Sequence, residues 1–217
     1  MQNIATAFGT LGLRGSLRSV YHSFRHTSRL SSLLVHRNVI TDIHPRASLN
    51  IANRLTVGLY NPGTSHPKAG KSIFSITAGG SVAHTGEESA TIGPKSSVHV
   101  EGDLSLGDCR LNSDIRLLCG DEITIGDRVS VGWGVQLVDD NRHALRVSNE
   151  TQQRSAPITI GDDVWIGHSS TITKGVEIAD GAIVASNSVV LDDVPAETIV
   201  GGCPAETIVD ADIDWEH

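Results

Sequence analysis

The sequence predicts an all-β fold, a solenoid built from three-sided coils of short parallel strands. An aliphatic residue recurs every six positions, glycine is abundant at 22 residues, and aromatic residues make up only 4% of the chain. A period of six matches neither the 3.6-residue period of an amphipathic helix nor the two-residue alternation of one strand face. The unbroken series comprises Ile160, Ile166, Ile172, Ile178, Val184 and Val190.

A short strand followed by a turn accounts for this period. The aliphatic side chain points inward, a small or β-branched residue packs near the corner, and glycine or aspartate serves the turn. Three such sides close one coil of about eighteen residues, and stacked coils bury a continuous aliphatic column too narrow for many aromatic rings. The same phase recurs less regularly in earlier segments, at Ile43, Leu49, Leu55, Ile92, Val98, Leu104, Ile125, Val131 and Leu137.

Charge and cysteine content exclude several classes of protein. The chain has 217 residues, with 17 basic and 25 acidic side chains and a net charge of −8, which argues against general nucleic-acid binding. No apolar run approaches the ~20 residues of a membrane-spanning helix. Cys109, Cys119 and Cys203 are odd in number and lack short paired spacing. They therefore favour neither a disulfide scaffold nor a cysteine-rich zinc site, and they fit a cytoplasmic protein.

Two stretches of the chain resemble a known family. One runs from Ile125-Gly126-Asp127 to His143, and the other from the Val164-Trp165-Ile166-Gly167 block to Gly202-Cys203-Pro204-Ala205. Both are similar to the hexapeptide-repeat acyltransferases, and to their maltose/galactoside O-acetyltransferase branch, which includes capsule and lipopolysaccharide sugar O-acetyltransferases. This resemblance implies a left-handed parallel β-helix, a homotrimer, acetyl-CoA as the acyl donor and no metal. The implied reaction is acetyl transfer to a hydroxyl of a sugar or polysaccharide precursor.

The repeat breaks between Leu137 and Ile160, where residues 138–157 form an insertion. A break in a regular solenoid predicts a projecting loop, and such loops often carry function. In the family, the histidine near the start of this loop is the catalytic base.

That role transfers to His143. An imidazole suits the removal of a hydroxyl proton near neutral pH. Asp139 is the first candidate to orient the ring, and Asp140 the second. The family pattern is usually Asp-x-Asp-x-His, whereas this chain has Asn141 as its middle residue.

The resemblance also implies positions for the donor and the acceptor. Where the family often has Thr-Lys, this chain has Leu191-Asp192, and Glu206 stands where the family has a basic residue. Both changes remove positive charge from the expected position of the coenzyme A phosphates. A basic residue from elsewhere, such as Lys174, could substitute. The expected acceptor-side residues are Asn112, Asp114 and Asp140. The expected donor positions are Trp165, Gly167, His168, Ala185, Ser186, Leu191 and Asp192.

The sequence divides into a basic N-terminal segment at 1–40, a β-helix at 41–209 containing the loop, and an acidic tail at 210–217. The segment 1–41 holds five Arg and no acidic residue, a charge of +5, and the remaining 12 basic and 25 acidic residues give −13. Two interpretations of the N-terminal segment stay open, a cap on the solenoid end and peripheral membrane contact through 11–36. Its helical spacing separates Leu13, Leu17, Val20 and Phe24 from Arg14, Arg18, Arg25 and Arg29.

Three other functions stay open. The first is an amino-sugar acceptor, which would make the reaction an N-acetyl transfer. The second is a non-catalytic solenoid that serves as a structural or binding subunit. A zinc enzyme resembling carbonic anhydrase is the third, but His84, His99, His143 and His168 show no ligand spacing.

Overall fold

A computed structural model describes residues 14–17, 19–23, 25, 32–59 and 70–210 of the chain. Residues 14–17, 19–23 and 25 are helical and form α1. The strands that follow are short and wind around a three-sided prism. In chain order they are β1 (Leu33–Val35), β2 (Val39–Ile43), β3 (Ser48–Ile51), β4 (Leu55–Val57), β5 (Ser72–Ile76), β6 (Ser81–His84), β7 (Ala90–Ile92), β8 (Ser97–Val100), β9 (Asp103–Leu106), β10 (Cys109–Leu111), β11 (Arg116–Cys119), β12 (Glu122–Ile125), β13 (Val129–Val131), β14 (Gln136–Val138), β15 (Leu145–Val147), β16 (Glu150–Gln152), β17 (Ile158–Ile160), β18 (Trp165–Ile166), β19 (Thr171–Thr173), β20 (Glu177–Ile178), β21 (Ile183–Val184), β22 (Val189–Val190), β23 (Thr198–Gly202) and β24 (Ala205–Asp210).

Three sheets form the faces of the prism. Face A stacks β1, β4, β7, β10, β13, β18, β21 and β23 in parallel and ends with antiparallel β24. Face B stacks β2, β5, β8, β11, β14, β19 and β22, and face C stacks β3, β6, β9, β12, β17 and β20. The chain visits A, B and C in turn, so the prism has an AB edge, a BC edge and a CA edge. The predicted parallel solenoid is therefore confirmed.

The six-residue repeat sets the register between coils. Ile160 pairs with Ile178, Ile166 with Val184, and Ile172 with Val190, so each aliphatic residue lies directly over its equivalent one coil later. All of these side chains are buried, and the aliphatic column continues through the earlier coils. Among the described residues, Phe74 is the only Phe, Tyr or Trp in this core.

Aspartates stabilise the CA edge by accepting hydrogen bonds from the backbone of the preceding coil. The N–H of Asp108 donates to Asp127 (2.7 Å), that of Asp127 to Asp162 (2.8 Å), and that of Asp162 to Asp180 (2.8 Å). At Gly126, which precedes Asp127, a Cβ would collide with the Asp162 carboxylate. The Gly-Asp pairs of the repeat therefore arise from close stacking at this edge.

The first coil begins at Leu33, ahead of the boundary expected at residue 41, because Leu33 and Val35 point inward and pair with β4. Residues 70–90 form ordinary strands and turns, and Val82 lies in the core. Of the predicted acidic tail at 210–217, only Asp210 belongs to the described residues.

Helix α1 lies against the exposed edge of β1 through small and polar side chains. The N–H of Val35 donates to the Ser19 hydroxyl (2.8 Å), and that of Leu33 donates to Ser23 (3.2 Å). At Gly15, a Cβ would meet the Val35 carbonyl oxygen at 2.7 Å. This arrangement covers a strand edge that would otherwise be open to pairing.

The predicted apolar stripe of this helix does not face the solenoid. Leu17 is 62% exposed and Val20 is 51% exposed. The side of the helix that faces β1 carries hydroxyl groups and glycine instead, because the open strand edge requires hydrogen-bonding partners and a short distance between the two backbones. The remaining residues of the predicted pattern, Leu13, Arg18, Phe24 and Arg29, lie outside the described residues. No helix within the described ranges is long and apolar enough to cross a membrane.

Truncating one residue of the aliphatic column should destabilise the whole solenoid. Ile160 is 1% exposed on β17, so Ile160→Ala should lower the free energy of unfolding by about 2–5 kcal/mol. The exposed neighbour Thr159 offers a matched control, since Thr159→Ala should change stability by about 0.5 kcal/mol or less. Equilibrium denaturation by urea measures both, and equal losses would contradict the inward assignment.

Candidate active site

The predicted loop leaves the prism at the BC edge and carries its own hairpin. Strands β15 and β16 pair antiparallel through a turn at Ser148 and Asn149, both with positive φ. Every residue of the hairpin strands is exposed, including Leu145 and Val147. The loop is therefore an ordered projection with two apolar side chains on its surface.

An ion pair between an exposed arginine and a buried aspartate closes the base of this loop. Arg154 donates from Nη2 to one Asp140 oxygen (2.6 Å) and from Nε to the other (2.8 Å), and the Arg142 N–H donates to the same carboxylate (2.6 Å). Asp140 is 2% exposed, and the Arg154 guanidinium lowers the pKa of its carboxyl. Asp140 is therefore a fixed anion committed to the loop itself.

Asp139 is committed to the solenoid. Its two oxygens accept from the N–H groups of Gly120 (2.7 Å) and Asp121 (2.9 Å), one coil earlier. Burial raises the pKa of the Asp139 carboxyl, and these two donors counter that effect. The expected orientation of His143 by Asp139 or Asp140 is not seen, because Asp139 binds backbone N–H groups of the solenoid and Asp140 binds Arg154 and the Arg142 N–H.

A second ion pair anchors the segment that bears His143. Arg142 donates to Glu101 across a 2.7 Å ion pair, and the other Glu101 oxygen lies 3.0 Å from Nε2 of His99. Arg142 first, and then His99, lower the pKa of Glu101. Glu101 and His99 lie on the third coil, so the start of the loop is fixed to the outer surface of the solenoid. The sequence offers no periodic signal for this contact.

His143 itself is exposed, beside the anchored Arg142. Its imidazole makes no hydrogen bond or ion pair with any residue in the described ranges. Both ring nitrogens are therefore open to a substrate or to a second chain.

The structure divides the other predicted site residues between two edges. Leu191 and Asp192 lie on the BC edge, as does Lys174, whose neighbour Gly175 donates its N–H to the loop carbonyl of Pro157 (3.0 Å). The opposite border of face B, the AB edge, carries the others. These are Asn112, Asp114, Gly167, His168, Ala185 and Ser186.

Two predicted AB-edge residues are held by local contacts. The Asn112 side chain accepts from the N–H of Ser113 (2.8 Å), and Asp114 lies 3.8 Å from the Lys95 ammonium. His168 stacks on Trp133, with ring centroids 4.5 Å apart and planes 2° from parallel. The stack joins adjacent coils and forms a flat aromatic wall, which the sequence spacing alone did not reveal.

Trp165 lies on face A, where its side chain is 44% exposed at the border of a groove of 750 Å³. Glu87, Glu88, Arg110 and Arg128 also line this groove, so it is polar and carries both charges. Face A lies across the prism from the BC edge. A single chain therefore does not bring His143 to Trp165.

Neither buried cysteine offers a nucleophile. Burial raises the pKa of the Cys109 thiol, and it raises the pKa of Cys119 to about 12, so both are protonated near neutral pH. Within the described residues, no group of three or more His, Cys, Asp or Glu is arranged to hold a metal ion.

Residues 157–192 match the family described as bacterial transferase hexapeptide (six repeats). This segment therefore carries the six-residue repeat of that family. The match covers β17 to β22, where the aliphatic repeat is most regular. The left-handed parallel β-helix expected from the resemblance is confirmed with it.

Curated relatives of this hexapeptide-repeat chain include two acetyltransferases. A galactoside O-acetyltransferase of Escherichia coli is 37% identical over 89 residues, which is 40% of this chain and 43% of the relative. A 2,3,4,5-tetrahydropyridine-2,6-dicarboxylate N-acetyltransferase of Staphylococcus aureus is 47% identical over 57 residues, 26% of this chain and 24% of the relative. The chain thus spans less than half the length of both relatives.

Among solved structures, a polySia-specific acetyltransferase, NeuO, aligns over 86% of this chain and 88% of its own. The identity is 17% and the TM-score is 0.45. The fold assignment depends on this chain's own strand pairing and not on that alignment.

The Glu101 contact should hold the His143 segment in place. Glu101→Gln removes the charge that pairs with Arg142, so amide exchange over residues 141–147 should become a few-fold faster at neutral pH. The pKa of Glu101 is lowered in the folded chain. The wild-type contact is therefore fully present at pH values above the ordinary pKa of a glutamate, and it is lost as the pH falls through the lowered pKa. Hydrogen-exchange mass spectrometry measures both effects. Glu150→Gln, an exposed change on β16, is the control, and equal effects in the two variants would contradict the anchor.

Proposed function

We propose that this chain is an acetyltransferase that moves an acetyl group from acetyl-CoA to a hydroxyl of a sugar or a polysaccharide precursor. The observation that carries the proposal is an unpartnered imidazole, His143, on a loop that projects from a hexapeptide-repeat solenoid and is held by two ion pairs. Similarity to a galactoside O-acetyltransferase supports a sugar acceptor.

His143 acts as the general base. Its neutral imidazole accepts the proton of the acceptor hydroxyl while that oxygen attacks the thioester carbonyl. The imidazolium then returns the proton to the departing thiolate, so the ring is neutral again after each turnover. Backbone N–H groups of the turns are suited to stabilise the oxyanion, because the stacked coils hold them at fixed positions.

The residues at the expected donor positions fit the amide-containing arm of acetyl-CoA better than its phosphates. The expected positions Gly167, Ala185 and Ser186 are small and uncharged, as an extended amide-containing chain requires. Asp192 adds negative charge where the phosphates are expected, and Lys174 is the cation on the same edge, one coil away. We therefore assign phosphate binding to Lys174.

The site is shared between neighbouring chains of a homotrimer. The loop with His143 projects from the BC edge, whereas Trp165 and the face A groove lie on the opposite side of the prism. In a cyclic trimer, the BC edge of one chain faces a different surface of the next, so one loop reaches a neighbour's groove. The exposed Leu145 and Val147 supply apolar surface for that contact.

The groove on face A is the proposed acceptor site, which moves Trp165 from the expected donor positions to the acceptor side. The exposed indole of Trp165 offers a flat apolar surface for a sugar ring, and the carboxylates and guanidinium groups offer hydrogen bonds to hydroxyls. Arg128 is held by a bidentate pair with Asp163 (2.6 Å for both bonds), so its position is fixed before the sugar binds.

An amino-sugar acceptor is the second candidate. Similarity to an N-acetyltransferase over 57 residues favours it. Mass spectrometry of products from a panel of sugars and amino sugars distinguishes the two, because O-acetyl esters are cleaved by mild base and amides are not.

Removing the imidazole should abolish most of the activity. His143→Ala should lower kcat by about 10²–10⁴-fold, the usual contribution of a general base, with little change in stability because the side chain is exposed. Thiol release from acetyl-CoA in the presence of acceptor measures the rate. His44→Ala, at the BC edge of the first coil, is the control. Unchanged turnover in His143→Ala would refute the mechanism, and no turnover by the wild type with any acceptor would favour a non-catalytic solenoid.

Shared sites predict complementation between two inactive variants. Chains with His143→Ala lack the base and chains with Trp165→Ala lack the groove indole, so each homotrimer should be nearly inactive. Co-refolded mixtures should recover about a quarter of the wild-type rate, because random assembly pairs an intact loop with an intact groove at about one site in four. If mixtures stay inactive although mixed trimers form, the two residues do not serve a shared site.

A further inference from the structure

Helix α1 presents its large apolar side chains to solvent. Leu17 is 62% exposed, Val20 is 51% exposed and Tyr21 is 55% exposed. Their spacing of three and four positions places them together on one side of the helix. The opposite side, with Ser19 and Ser23, is occupied by β1. The helix is therefore inverted relative to an ordinary surface helix, with its small polar side buried and its bulky side outward.

Basic side chains border this apolar face at both ends. Arg14 lies three positions before Leu17, and Arg25 lies four positions after Tyr21, with its Nη1 donating to the Tyr21 hydroxyl (3.3 Å). Both arginines are exposed. The segment 1–41 carries no acidic residue and a charge of +5, while the remaining chain carries −13. The face thus combines exposed apolar bulk with uncompensated positive charge.

We infer that this outer face of α1, formed by Arg14, Leu17, Val20, Tyr21 and Arg25, docks on an anionic lipid bilayer. Three apolar side chains with flanking guanidinium groups match a headgroup layer, where the apolar tips insert and the cations meet lipid phosphates. A tyrosine is well suited to that depth, since its ring is apolar and its hydroxyl stays hydrated.

A protein partner fits this face less well. Three side chains offer far less than the roughly 1,200 Å² that a stable protein interface buries. A bilayer needs no matching shape and supplies negative charge over its whole surface. The acidic solenoid is repelled by the same surface, so the contact would hold the prism by its N-terminal end with the strands of later coils away from the lipid.

Vesicle co-sedimentation of the full chain tests this inference. The wild type should bind vesicles of phosphatidylcholine with phosphatidylglycerol, should not bind phosphatidylcholine alone, and should lose binding as the salt concentration rises. Replacing the apolar pair by Leu17→Gln with Val20→Gln, or the basic pair by Arg14→Gln with Arg25→Gln, should weaken partitioning about tenfold or more. Thermal unfolding should be unchanged, because all four side chains face solvent.

Matched controls lie elsewhere on the solenoid. Ile208, which is 60% exposed on β24, and Arg116, which is exposed on β11, should tolerate Ile208→Gln and Arg116→Gln with full binding. The inference is overturned if the wild type stays in the supernatant with anionic vesicles, or if the α1 variants bind as the wild type does. It is also overturned if Leu17→Gln with Val20→Gln lowers the oligomeric mass, because the face would then contact a second copy. Acetyl transfer is measured separately, so failure here would leave the proposed function standing.

Discussion

The interior of the prism is filled almost entirely by aliphatic side chains, and the rest of the structure depends on that restriction. Each coil gives its backbone hydrogen bonds to the next, so the inward side chains must stack in register at a fixed spacing. The bulky exceptions along the column are Phe74 and the buried His84, which stacks in register between Ile51 and Leu106. Chemistry is therefore confined to three locations, the outer faces, the edges and the insertions.

Aspartates illustrate how the edges limit chemistry. Asp127, Asp162 and Asp180 accept backbone N–H groups from the coil before, and Asp139 does the same at the BC edge where the loop departs. The Asp at the start of the 138–157 loop is thus part of the stacking of the solenoid. The next residue, Asp140, binds Arg154 and closes the loop. Between them the two carboxylates fix where His143 is placed, although neither touches it.

The sequence was most informative where a period exists. Regular hexads predicted β17 to β22 and their inward residues, because each position has a single role and repeats it. The N-terminal helix was predicted from spacing, but its orientation was left open, since a helical period reveals an apolar stripe and not which side of the helix meets the protein. There, hydrogen bonds from the strand-edge N–H groups to the hydroxyls of Ser19 and Ser23 outweigh burial of Leu17.

Contacts between distant coils at the site were beyond reach of the sequence. Glu101 meets Arg142 at the BC edge, and Trp133 stacks on His168 at the AB edge, only because the stacking of the coils brings these residues together. The hairpin in the loop had one local signal, Asn149 in the left-handed region, which lies in a segment without alternating hydrophobicity. His143 was found through the resemblance and the break in the repeat, and the geometry adds that its ring is unengaged.

Three-fold assembly links the two proposals physically. A cyclic trimer with parallel axes places all three copies of α1 at one end of the assembly, because its symmetry axis cannot reverse a subunit. A face of three apolar side chains and two arginines binds a bilayer weakly by itself, but three such faces in one plane bind as a unit with a much higher effective affinity. In the proposed trimer, the same symmetry would bring each His143 loop to a neighbouring groove. Assembly would thus complete the catalytic site and strengthen membrane contact in a single step, and a monomer would lack both.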